Sequence, residues 1–150
     1  MSLKSFFSFC LIGLFASCIN QNGKQKDSTQ KTQSNLVNCY RYTNNNDTIL
    51  LRTINVGEAI TGLLVYDFNQ KEKIAGTIQG SMRGDLLIVN FTSFSEGNQS
   101  ARRQVVFKKS GNDFIEGHGE TEERDNRTVY KNIDSLVFKN SMILSRTDCK

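Results

Sequence analysis

The chain has 150 residues, 37% of them hydrophobic and 23% charged. That is enough for one domain with its own core, and too apolar for wholesale disorder. The formal charge is +4 with neither Trp nor Pro, and the basic pairs Arg102-Arg103 and Lys108-Lys109 are soon followed by Glu116, Glu120, Glu122 and Glu123, an interspersed pattern that argues against a nucleic-acid partner.

The first element is an apolar run, Phe6 to Ala16, preceded by Lys4. It is too short to cross a bilayer as a helix but has the length of a secretory h-region. The run closes on "LFASCIN", with small Ala16 and Ser17 directly before Cys18. This ending resembles the lipobox of bacterial lipoproteins: a branched apolar residue, two small residues, then Cys. Phe15 stands where that pattern usually has Leu, with Leu14 one place earlier. The resemblance implies that residues 1–17 are a cleaved signal peptide. It also implies that Cys18 becomes an acylated, palmitate-type N-terminus whose partner is the lipid bilayer. Each acyl CH₂ buried contributes about 0.8 kcal/mol, so several chains make a permanent anchor. Ile19, rather than Asp, follows the cysteine, which by the same resemblance points to the outer membrane.

From Cys18 to Asn35 the chain is almost wholly Gln, Asn, Lys, Ser and Thr. Such a segment cannot bury enough surface to order itself, so residues 18–35 read as a flexible lipidated tether ahead of a single β-domain, 36–150. Of four cysteines, Cys10 leaves with the signal and Cys18 takes the lipid. That leaves Cys39 and Cys149, one at each end of the domain. In an oxidising compartment such a pair is most simply a disulfide, worth about 4–5 kcal/mol on a loop of this length. A zinc or redox pair is the alternative, but the chain has no CxxC and one histidine, His118.

The domain shows short β-branched and aromatic runs at regular spacing and no convincing helical period. Ten strands are expected: Val37–Tyr42, Thr48–Ile54, Ala59–Phe68, Lys73–Met82, Asp85–Ser93, Gln104–Lys108, Asp113–Glu122, Arg127–Tyr130, Ser135–Phe138 and Met142–Ser145. Between them stand turn segments such as "NNND", "NVGE", "MRGD", "KSGND" and "RDN". Ile74, Gly76, Ile78, Gly80 and Met82 share one face of their strand, and the run Leu86 to Phe91 is apolar on both faces. Gly62, Gly76, Gly80, Gly117 and Gly119 fall inside strands, which fits a sharply bent sheet. The expected fold is therefore all-β, a small antiparallel meander closing into a barrel, with a β-sandwich as the alternative. The strands are too short and lack the aromatic girdles of an outer-membrane pore. In overall look the chain is similar to small lipocalin-like or META-like domains of Bacteroidota lipoproteins.

Chemistry is sparse. "EGHGETEE" would place Glu116, His118 and Glu120 on one strand face, where carboxylates around an imidazole could hold a divalent cation or act as acid and base. Neighbours two apart on a strand lie about 7 Å from one another, so such a site needs further ligands. There is no GxSxG, no GxGxxG and no phosphate loop, so no cofactor is expected. Arg83-Gly84-Asp85 reads as a hairpin tip rather than an adhesion motif. Ser28, Thr48 and Ser135 each follow Asp in a pattern resembling the O-glycosylation acceptors of exported Bacteroidota proteins. The expected function is non-enzymatic: an anchored domain binding a small hydrophobic ligand or an envelope protein, through a barrel interior or loops such as Ser95–Arg103. The alternative is a metal-binding protein or enzyme using Glu116, His118 and Glu120.

Overall fold

The computed structural model describes residues 37–94 and 100–150. The expected signal 1–17, the expected lipidation site Cys18, Ser28 and the expected tether 18–35 lie outside the described residues. Ten strands follow in order: β1 Val37–Asn44, β2 Asp47–Val56, β3 Ala59–Asp67, β4 Ile74–Arg83, β5 Leu86–Ser93, β6 Arg102–Ser110, β7 Asp113–His118, β8 Thr121–Arg124, β9 Arg127–Tyr130 and β10 Val137–Thr147. Strands β1 to β7 form an antiparallel meander, and β10 inserts between β7 and β1, so eight strands close into a barrel rather than a sandwich. The hairpin β8–β9 stands beside the ring, joined through one parallel bridge between Arg103 and Thr128.

Tight turns set the register. Asn44 pairs Asp47, Arg83 pairs Leu86, and Arg124 pairs Arg127, each across two residues. Asp125 and Asn126 both take positive φ, 53° and 58°, the conformation that a type I′ turn needs and that Asp and Asn tolerate. Alternation then divides each strand into two faces. Inward-facing Ile49, Leu51, Leu64, Ile78, Leu87, Val89, Val105, Phe107 and Leu144 are essentially sealed from solvent. Each fully buried aliphatic side chain contributes about 1.5–3 kcal/mol.

A second, smaller core lies outside the barrel wall. Val106 and Ile115 point away from the interior yet are buried, together with Val129 of the hairpin and Leu136 before β10. The hairpin and the 3₁₀ turn Ile133–Ser135 cover this patch, which is why β6 and β7 are buried on both faces. Close approach also explains the strand glycines. A Cβ on Gly62 or Gly80 would fall 1.8 or 1.9 Å from the carbonyl oxygen of Arg52 or Ile88 on the adjoining strand. Only glycine lets the backbones meet there, at the bends of the closed sheet.

Cys39 and Cys149 are bonded, with Cα atoms 5.2 Å apart and a sequence separation of 110. The bond spans the β1–β10 seam, whose register covers only Cys39 to Arg41 against Thr147 to Ser145.

Two expected elements differ. The strand expected over Asp113–Glu122 breaks at Gly119 and Glu120 into β7 and β8. Leu136 packs at Gly119, and the Glu120 carbonyl accepts from Lys131 N–H at 2.9 Å, which turns the chain out of the barrel wall. The two short strands expected at 135–138 and 142–145 are one strand, β10, opened by an irregularity between Phe138 and Ile143.

Candidate functional site

All the strand ends that bear on the site lie at one mouth of the barrel. Strands β6 and β7 pair only from Phe107 to Ser110 against Glu116 to Asp113. Beyond that point β7 swings away and β9 takes its place beside Arg103. The parting leaves a cavity of about 750 Å³ that reaches from solvent into the interior. Ile49, Phe68, Phe91 and Met142 supply apolar wall, Ile74 and Phe94 form an apolar rim, and Lys71, Glu72 and Lys73 stand at the β3–β4 turn. Phe94 is 63% exposed and Ile74 48%, so two large apolar side chains face solvent at this mouth.

A polar cluster sits at the back of the cavity, formed by Tyr66, Arg103, Glu116 and Tyr130, with His118 toward the rim. Tyr66 hydroxyl donates to Glu116 Oε1 at 2.9 Å, a buried bond between residues 50 apart in sequence. Tyr130 hydroxyl donates to the Gly117 carbonyl at 2.7 Å. The Arg103 guanidinium lies 4.8 Å from the Tyr66 ring centroid and 5.4 Å from that of Phe91, held by two cation–π contacts. Among the described residues it pairs with no carboxylate, and none of the side-chain hydrogen bonds there involves it.

Burial pushes the Glu116 carboxyl above the ordinary glutamate range, against the opposing pull of the Tyr66 hydroxyl, Arg103 and His118. The Tyr66 hydroxyl is pushed well up as well, first by burial and then by the neighbouring Glu116 charge. The cluster therefore holds one carboxyl that resists ionisation beside one guanidinium that cannot lose its charge.

The proposed metal face does not assemble. Glu116 points inward and is 5% exposed, His118 stands exposed at the rim, and Glu120 lies past the strand break with its carboxylate on Lys131 Nζ at 3.0 Å. Among the described residues no group of three or more His, Cys, Asp or Glu side chains is placed to hold a metal ion. Thr48 is half-buried in β2, while exposed Ser135 donates its hydroxyl to the Asn132 carbonyl at 3.0 Å. At the hairpin tip Arg83 pairs with Asp134 and Asp85 with Lys108, so both charged members of that tripeptide are engaged within the domain.

Of the expected loop Ser95–Arg103, residues 95–99 lie outside the described residues, and its end, Arg102 and Arg103, belongs to a strand. Strand β6 begins at Arg102, and Arg103 shares the inward phase of Val105 and Phe107. Extending that two-residue alternation backwards is the signal that finds it, as Leu64–Tyr66–Phe68 finds Tyr66. Set against known proteins, the chain matches no family model, no curated protein and no solved structure.

Proposed function

We propose that the protein is an exported lipoprotein whose β-barrel is a non-enzymatic binding domain, tethered to the membrane by acylated Cys18 and holding a small hydrophobic ligand in its mouth cavity. One observation carries the ligand-binding part: a largely apolar cavity of about 750 Å³ with a few convergent polar groups at its back. Its size falls within the ~300–1,000 Å³ usual for small-molecule pockets. The exposed rim residues Phe94 and Ile74 offer an apolar path from solvent to the interior. Titration with an uncharged fluorescent naphthylamine tests the reading. Saturable, one-to-one enhancement that is lost on replacing Phe91 by a polar residue supports it, and no saturable enhancement overturns it.

The anchor rests on the Leu14–Cys18 signature, and Ile19 after the cysteine supports an outer-membrane destination. Cys18→Ser should move the protein from the membrane fraction to the soluble fraction. Unchanged fractionation would remove the lipoprotein reading and leave the cavity reading untouched.

A further inference from the structure

We propose that the cavity selects single-chain amphiphiles with one anionic headgroup, a carboxylate or sulfate, that is received by the Arg103 guanidinium while the apolar body lies against Phe91, Phe68 and Met142. The inference rests on the cavity being a ligand site and names the class of ligand it takes.

Arg103 is the one arginine lining the cavity among the described residues, and it is half-buried. Its position is fixed by the Tyr66 and Phe91 rings, yet none of the described hydrogen bonds uses its donors. An arginine carries five N–H donors in a planar fork that matches a carboxylate or sulfate. The nearby carboxyl, Glu116, already accepts from Tyr66 and lies beyond ion-pair distance of Arg103. A neutral apolar ligand filling the cavity would strip water from those half-buried donors without supplying a partner, so it binds less tightly than an anion of the same shape. A cationic ligand would meet Arg103, with Glu116 the one deep carboxyl among the described lining residues. An anionic headgroup removes the problem and gains charge-assisted hydrogen bonds.

The surroundings agree in sign. Among the described residues around the cavity, Lys71, Lys73 and Arg103 face Glu72 and Glu116. Lys73 is drawn partly aside by Asp67 at 3.3 Å, while Lys71 lies over the Phe68 ring at 5.9 Å from its centroid. Burial holds Glu116 toward its neutral form, which tips the balance further toward positive.

The test is displacement of the uncharged naphthylamine from the full chain at mildly alkaline pH, below micelle-forming concentrations. The competitors are dodecanoate, dodecyl sulfate, dodecanol and dodecyltrimethylammonium. The two anions should displace the probe at about 10- to 100-fold lower concentration than dodecanol, the factor expected for hydrogen bonds to a charged group. The cation should be weakest. Arg103→Gln should erase the anion-over-alcohol preference, read as the ratio of the two displacing concentrations within the variant whatever its affinity for the probe. Equal displacement by anion and alcohol in the unaltered protein overturns the inference, and this arm holds whether or not the variant folds. If the probe itself fails to bind, the ligand-site reading falls instead, so the two failures are told apart.

Discussion

Removing the Cys39–Cys149 bond, by replacing both cysteines with serine, gives the sharpest test of how the barrel is held shut. The bond closes a loop of 110 residues, for which the loss of unfolded-chain entropy is worth about 5 kcal/mol at 25 °C. Little packing is lost with it, because Cys39 is half-buried and Cys149 exposed. A whole domain of this size is stable by about 5–15 kcal/mol, so the bond accounts for a large share. In urea, with a slope of about 2 kcal/mol per molar, the midpoint should fall by about 2–3 M. Reducing the unaltered protein should produce the same shift, and adding reductant to the double variant should do nothing more. A fall of less than about 0.5 M with an unchanged slope would refute the reasoning, since it would mean that the unfolded chain is not constrained by the bond.

Two further outcomes follow from the site and the sheet. The folded state binds the Glu116 proton more tightly than the unfolded chain does, so stability should decline as pH rises from the ordinary glutamate range through the raised folded value, then level off. Glu116→Gln keeps an acceptor for Tyr66 and removes the titration. Its stability profile from urea melts should therefore gain on the unaltered protein across that window, and parallel profiles would refute the shift. Gly80→Ala should cost about 2–4 kcal/mol, because the new Cβ meets the Ile88 carbonyl oxygen at 1.9 Å and the Val89 Cα at 2.7 Å, neither of which can swing aside. Gly84→Ala, with φ of +62° and nothing within 4 Å, should cost only about 1–2 kcal/mol of backbone strain. Thermal melts of the two variants would rank them, and the reverse order would count against the close approach at β4–β5.

The hairpins were legible because their signals are local: a short polar turn such as Asn45-Asn46, Gly84-Asp85 or Asp125-Asn126 between alternating runs. The disulfide was legible by elimination among four cysteines. Closure into a barrel was legible through that same pair, which ties the first strand to the last, but the β1–β10 register was not, because it joins residues more than 100 apart and no neighbouring residue announces it. The site was only half visible. Glu116 and His118 stood out by residue type, but the partner that defines Glu116 is Tyr66, an unremarkable member of a core strand until the barrel brings them together. Arg103 was hidden by its polar neighbours Arg102 and Gln104, which point the other way. Glu120 misled because strand phase was carried across Gly119, where Leu136 and Lys131 draw the chain out of the wall.

The β1–β10 seam also fixes when this domain can finish folding. Ribosomes and translocation channels deliver a chain from its N-terminus, so β1 emerges first and β10 last. Until Val137–Thr147 is free, β1 and β7 each lack a neighbour, the interior stays open, and Cys39 has no partner. Contacts of such long sequence separation are slow to form, and here they cannot form at all before nearly the whole chain is out. Completion of the last strand then brings together ring closure, the Met142 part of the cavity wall and the covalent bond in a single late event.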